Sequence, residues 1–220
     1  MSDYIQQGLQ AMQEQDYEKA ASYFNQAIEA NPNDPVGFIN FGNLLAIIGE
    51  LEKAIVFFER AISLDASAAT AYYGAGNALY QLEKFDEAIK MFSQAIQNQL
   101  KEADVYFMIG MSHYQLGQLN HALVHFQTVT EINPDDLDAR FQYGLCLAQL
   151  EQIDGAMEQF KQVVAQDETH ADAFFNIGVA HAYKNEPQEA LEAFNQALKI
   201  QPDHLLAGNG KKKMEELLTQ

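Results

Sequence analysis

Cations are scarce in this sequence, cysteine scarcer still, and long apolar runs are absent. Its 13 lysines and arginines stand against 31 aspartates and glutamates, a formal net charge of −18. That deficit excludes nucleic acid and anionic membrane as main partners, because both recruit positive surface. It favours a basic or apolar protein partner and high solubility. The one cysteine, Cys146, has no second cysteine to pair with inside the chain. No apolar run approaches the ~20 residues that span a bilayer. The opening MSDYIQQGLQ has neither the basic n-region nor the apolar h-region of a signal peptide. Together these absences point to a reducing cytoplasm.

Catalytic constellations are missing as well. His121 and His125 stand four apart, but no glutamate follows His121, so the HExxH metal-hydrolase pattern is absent and both read as surface residues. His113 and His181 occupy places of buried aromatics and read as neutral, satisfied core residues. Cys146 reads as a small packed residue, with no basic neighbour to lower its pKa. Carboxylates are spread too evenly to single out an acid–base pair. There is no phosphate-binding glycine loop and no serine elbow. The reading is of a non-enzymatic protein without metal or cofactor.

What the sequence does have is a repeat. The stretch from Ala103 to Asp136 reads ADVYFMIGMSHYQLGQLNHALVHFQTVTEINPDD. Tyr106, Ile109, Gly110 and His113 recur at helical spacing and share one face of a first helix. Gly117 and Asn120 punctuate the middle. Ala122, Phe126 and Val129 mark one face of a second helix, which Pro134 stops. Such a hairpin has an apolar side that it cannot bury alone. A step of 34 residues from Gly110 finds Gly8, Gly42, Gly76, Gly144 and Gly178. The same step from Ala122 finds Ala20, Ala54, Ala88, Ala156 and Ala190, and from Phe126 it finds Phe24, Phe58, Phe92, Phe160 and Phe194.

A fixed period of this size with paired helices is the signature of an α-solenoid. On these residues the chain resembles the tetratricopeptide repeat (TPR) family over essentially its whole length. Tyr72, Gly76, Ala88, Phe92 and Ala95 carry the family pattern in one copy, and Phe174, Gly178, Ala190, Phe194, Ala197 and Pro202 in another. The resemblance implies an all-α fold. It is a right-handed superhelical solenoid of six helix-turn-helix repeats forming one domain over 1–220: 1–34, 35–68, 69–102, 103–136, 137–170 and 171–204. Copy one is the weakest, as suits a terminal cap. Copy three has Leu100 where proline usually ends the second helix, copy five has Arg140 at a large-apolar position, and copy six has Pro187 between its helices. Residues of about 205–219 read as a capping helix, with Leu206, Met214, Leu217 and Leu218 covering the end and Gly208 and Gly210 fraying it. Lys211, Lys212 and Lys213 read as a solvated face.

Within each copy, the fourth, seventh, eighth and eleventh residues are expected to face the second helix, with the glycine at the eighth meeting the alanine at the twentieth. The resemblance implies that the second, fifth, ninth and twelfth residues line a concave groove that contacts the partner. Those at the fifth include Ile39, Tyr73, Phe107, Phe141 and Phe175. Those at the ninth include Asn43, Asn77 and Met111, those at the twelfth Tyr80 and Tyr114, and those at the second Asp104, Asp138 and Asp172. Asparagine can bond a partner's backbone without reading its side chains, and aromatics offer area at little rotamer entropy. The lysine and arginine set by which chaperone-linked members clamp a C-terminal carboxylate is absent, since Ile5, Leu9, Asn40, Thr70 and Gly74 stand there.

The expectation is therefore a scaffold that binds a protein or peptide segment, basic and apolar in character, with the monomer favoured. Two other readings stay open: a self-assembly module, and a peptide-sensing regulator. The regulator would call for a DNA-binding helix-turn-helix ahead of the repeats, and the first repeat begins at Met1.

Overall fold

The residues that set the period also punctuate the helices. The residue just before a first helix caps it wherever its side chain permits. Asp34 accepts from the Val36 N–H at 3.0 Å and Asp136 from the Ala139 N–H at 2.9 Å. His170 and His204 do the same through Nδ1, from the Ala173 and Ala207 N–H groups at 3.2 Å. A side-chain cap of this kind contributes about 1 kcal/mol. Ala68 and Glu102, at the same place in copies three and four, make no side-chain cap.

First helices end on a left-handed residue at position 15 of the copy. Gln15, Glu83, Glu151 and Asn185 have φ of 58–59°, Gly49 has +83° and Gly117 +70°. In copy three the Glu83 N–H bonds the Tyr80 carbonyl and the Lys84 N–H bonds the Leu79 carbonyl, the paired closure of a Schellman turn. A second such turn explains Leu100. Gln99 takes φ of 75°, and the Leu100 N–H returns to the Ala95 carbonyl at 3.0 Å. That turn closes the helix without a proline.

The computed structural model describes residues 3–219 and holds no strand among them. The chain divides into two compact units, meeting at Leu116 and Gly117. The first contains α1 (Asp3–Gln13), α2 (Tyr17–Ala30), α3 (Pro35–Ile47), α4 (Leu51–Leu64), α5 (Ala69–Gln81), α6 (Phe85–Gln97) and α7 (Ala103–Gln115). The second contains α8 (Leu119–Ile132), α9 (Leu137–Gln149), α10 (Ile153–Gln166), α11 (Ala171–Tyr183), α12 (Pro187–Ile200) and α13 (Leu205–Leu218).

In the first unit α1 pairs with α2, α3 with α4 and α5 with α6, while α2, α4 and α6 each touch the next first helix. The first helices α1, α3, α5 and α7 also touch in sequence. In the second unit α9 pairs with α10 and α11 with α12, α8 and α10 lead into the next first helix, and α13 rests on α12 and α11. The core of each unit is a row of phenylalanines at position 24: Phe24, Phe58 and Phe92 in one, Phe126, Phe160 and Phe194 in the other. Burying each contributes about 1.5–3 kcal/mol.

The repeated glycine has a different neighbour from the one expected. A Cβ on Gly76 would lie 2.6 Å from Phe92 Cε1, and on Gly8 2.3 Å from Phe24 Cε1. At Gly42, Gly144 and Gly178 the three nearest atoms are likewise all in the ring of that copy's phenylalanine. The ring edge, not the alanine at position 20, fills the glycine notch.

The capping helix forms, but on another face. α13 runs unbroken through Gly208 and Gly210. Ala207 and Met214 are its buried residues, while Leu206 and Leu217 remain 60% and 51% exposed. Ala207 and Met214 stand where α11 buries Ala173 and Ala180, so α13 repeats the register of a first helix. Gly210 is needed there, since a Cβ would come within 2.7 Å of Phe194 Cζ.

Arg140 turns inward at the position elsewhere filled by Phe38, Tyr72 or Phe174. It is 9% exposed, with Nη1 donating to Gln159 and Gln162 and Nη2 to the Pro134 carbonyl at 2.8 Å. Its Nε has no partner among the described residues.

Candidate functional site

A helix turning 100° per residue leaves one arc of each first helix uncovered. Positions 2, 6, 9 and 13 fall within about 60° of one another on that arc. In α3 these are Val36, Asn40, Asn43 and Ile47, and in α11 they are Asp172, Asn176, Val179 and Tyr183. Ile47 is 57% exposed and Tyr183 60%. Positions 5 and 12 lie further round, toward the second helix.

That offset sorts the expected site residues. Asn43, Asp104, Asp138 and Asp172 are exposed, and Asn77 and Met111 are half-buried on the arc. Ile39, Tyr73, Phe107, Phe141 and Phe175 are all half-buried. The Tyr73 ring lies 5.8 Å from Phe92, Phe141 5.6 Å from Phe160 and Phe175 5.9 Å from Phe194. Phe141 and Phe175 also stack 4.7 and 5.0 Å from the cap histidines His170 and His204. Phe141 and Phe175 thus bridge their copy's core phenylalanine to the cap histidine of the next first helix. Tyr80 turns onto Phe85 at 5.3 Å, and Tyr114 is half-buried. Asp172 accepts at 3.1 Å from Nε2 of His204, which carries the proton because Nδ1 accepts the cap bond.

In the first unit the arc opens a cleft of about 650 Å³ that brings Asn43 and Asn77 together with Met12, Ile47 and Gln81, above the ring of Phe58. The two amides differ from their neighbours at position 6. Asn40 and Asn176 spend their amide hydrogens on the Val36 and Asp172 carbonyls at 2.8 Å. Among the described residues, the side chains of Asn43 and Asn77 hold no hydrogen bond. The cleft thus offers two donor–acceptor groups one repeat apart over an apolar floor. In the second unit the same part of the arc opens a cleft of about 300 Å³ with Val179 and Tyr183 on its wall. Ile47, Gln81, Asn176 and Tyr183 were not expected from the sequence. The spacing 2, 6, 9, 13 was the signal that marks them.

The ionisable groups have structural explanations. Burial pushes the Cys146 thiol up to about 12, so it stays protonated and inert. Asp65 and Asp167 are held below the usual carboxylate range by the hydroxyl and backbone N–H of Ser67 and Thr169 in their turns. Asp154 is lowered by its 2.8 Å hydrogen bond from Lys184. Among the described residues no three histidines, cysteines or carboxylates gather as a metal site. No described helix is long and apolar enough to cross a membrane.

Family profiles described as tetratricopeptide repeat match residues 69–99 and 171–204, 113–175, 2–34 and 23–56, and one described as TPR repeat matches 42–83. The TPR repeat-containing protein YrrB of Bacillus subtilis (strain 168) is 58% identical over 40 residues, 18% of this chain and 19% of that protein. That stretch spans about a fifth of the curated relative. The crystal structure of YrrB, a TPR protein with an unusual peptide-binding site, is 46% identical, covers 87% of this chain and 99% of its own, and superposes with a TM-score of 0.81. A structure from the functional characterisation of Pseudomonas aeruginosa pilF covers 96% of both chains with a TM-score of 0.79, at 17% identity. MamA, at 18% identity, covers 76% of this chain and 92% of its own with a TM-score of 0.73.

Proposed function

Because the chain belongs to the tetratricopeptide repeat family, we propose that it is a non-enzymatic interaction protein whose first-helix arc binds a peptide segment of a partner. The observation that carries this reading is the cleft of the first unit, lined by Asn43 and Asn77, whose amides hold no hydrogen bond among the described residues, over an apolar floor. An amide can satisfy a backbone N–H and a backbone carbonyl alike, so two of them suit a bound main chain more than one particular side chain. The peptide-binding site of the 46% identical YrrB supports the same class of ligand. No lysine or arginine stands at positions 2, 6, 9 or 13 of α3, α5, α7, α9 or α11, and aspartate stands at position 2 of the last three. The partner is therefore neutral to basic. The buried single cysteine fits a reducing compartment such as the cytoplasm.

The test is to pan the intact protein against a displayed library of random peptides, then repeat the binding with Asn43→Ala plus Asn77→Ala. Hot-spot truncations cost about 1–4 kcal/mol each, so the double variant should lose at least tenfold in affinity with an unchanged melting temperature. Full binding by the folded double variant refutes the cleft as the site. Affinity should also fall as salt rises, since exposed charge pairs are screened beyond about 8–10 Å.

A further inference from the structure

The residue at position 12 is large in some copies and alanine in others. Tyr80 fills its place by laying its ring 5.3 Å from Phe85, the residue at position 17. Alanine stands at position 12 in three other copies, and a pocket opens at each. Ala46 lines the cleft of the first unit. Ala148 lines the cleft of about 300 Å³ in the second unit, together with Ile153, Val179 and Tyr183 and with Phe160 at the floor. Ala182 lines a third, of about 240 Å³, with Pro187, Met214 and Leu217. Pro187 stands in this last pocket where copy three has the ring of Phe85. The second unit thus carries two consecutive apolar pockets, one repeat apart, and Val179 and Tyr183 lie exposed beside the first.

Charge narrows what enters them. Glu151 is the one carboxylate, and the one charged side chain, among the residues lining the Ala148 pocket. The nearby cation Lys184 is committed to Asp154 at 2.8 Å. Asp138 and Asp172 stand on the same arc, where no cation offsets them in α9 or α11. A side chain entering here meets hydrocarbon and then an acidic rim.

We infer that the second unit reads its partner through the Ala148 and Ala182 pockets, which accept two apolar side chains at a fixed separation from a peptide bearing lysine or arginine beside the first. This rests on the first-helix arc being the binding surface, but it assigns the sequence specificity to alanines that lie outside the Asn43–Asn77 cleft. Within the second unit the alanine pockets select the side chains.

The protein supplies its own plug for the test. The backbone accommodates tyrosine at position 12 in copy three, so Ala148→Tyr and Ala182→Tyr should close the pockets and leave folding intact. Peptides enriched by the intact protein from the random displayed library serve as the probe. They should share two aliphatic or aromatic residues at constant spacing with a basic neighbour. Losing the burial of one such side chain amounts to roughly tenfold to a hundredfold in Kd, which is the drop expected for either tyrosine variant. Glu151→Lys is fully surface-borne and guards against a folding artefact. It should weaken the same peptides several-fold while melting stays unchanged. Peptides that lose affinity on Asn43→Ala plus Asn77→Ala yet bind all three second-unit variants as before overturn the pockets and leave the arc reading intact. Peptides indifferent to all of these substitutions overturn both. A selected set with no paired apolar residues also overturns the inference.

Discussion

Replacing Gly76 by alanine sets two opposed forces against each other, and the structure decides the sign. Inside a helix alanine is favoured over glycine by about 1 kcal/mol, because it restricts the unfolded chain. At Gly76 the new methyl would stand 2.6 Å from Phe92 Cε1 and 2.7 Å from Cδ1. Carbon atoms settle at about 3.5–4.0 Å, so the overlap is about 1 Å. The ring has no room to retreat: Phe92 is 0% exposed and Tyr73 lies 5.8 Å from it. Overpacking of this kind costs about 1–3 kcal/mol, which leaves a net loss of up to about 2 kcal/mol after the helix preference. Gly208 is the control, since nothing lies within 4 Å of its absent Cβ. There the preference acts alone, and Gly208→Ala should stabilise α13 by up to about 1 kcal/mol. Urea unfolding followed by circular dichroism, with the two variants measured beside the parent, reads the difference. If Gly76→Ala stabilised the chain as Gly208→Ala does, the glycine notch would have no part in seating the phenylalanine.

Two further substitutions or probes follow from buried groups. Arg140→Met should leave stability unchanged or raise it by about 1 kcal/mol in the same unfolding assay, because the guanidinium has no acidic partner among the described residues and its orphaned Nε costs about 1–3 kcal/mol; a loss above about 3 kcal/mol would show that its bonds to Gln159, Gln162 and Pro134 outweigh that cost. Cys146, with its thiol raised to about 12, keeps its proton as pH rises through the range where an ordinary cysteine ionises. Alkylation by iodoacetamide at pH 8 should therefore proceed only after denaturant is added, and rapid labelling of the native protein would contradict the burial.

The period was plain in the sequence because the residues that set it answer to one local geometry. Gly76 and Phe92 must coexist in every copy, so neither drifts, and a fixed step exposes them. The uncovered arc was harder to place. Phe141 and Phe175 look like ligand-binding aromatics by composition, yet their rings bridge the core to a cap, which depends on where the next repeat sits. Spacing within a single helix does not contain that information. The same difficulty affected α13, whose leucines outnumber its buried residues. Its seating follows the register of a first helix, so Ala207 and Met214 go inward while Leu206 and Leu217 remain outside. His170 and His204 went unrecognised as caps because histidine seldom plays that role. Their alignment with Asp34 and Asp136 one or more periods earlier was the available clue.

Within each unit, a helix touches only its hairpin partner and its nearest neighbours along the stack. Contacts between helices within a unit are consequently made mostly between segments adjacent in sequence or one repeat apart, so no distant segment must be found before the next piece can form. Chains with such low contact order fold in microseconds to milliseconds, and stacked repeats can begin from any hairpin and spread by adding neighbours. The acquisition of structure in this protein is thus a matter of growth along a line. A substitution in a central copy such as Gly76→Ala interrupts that growth, whereas one in α13 removes only its last step.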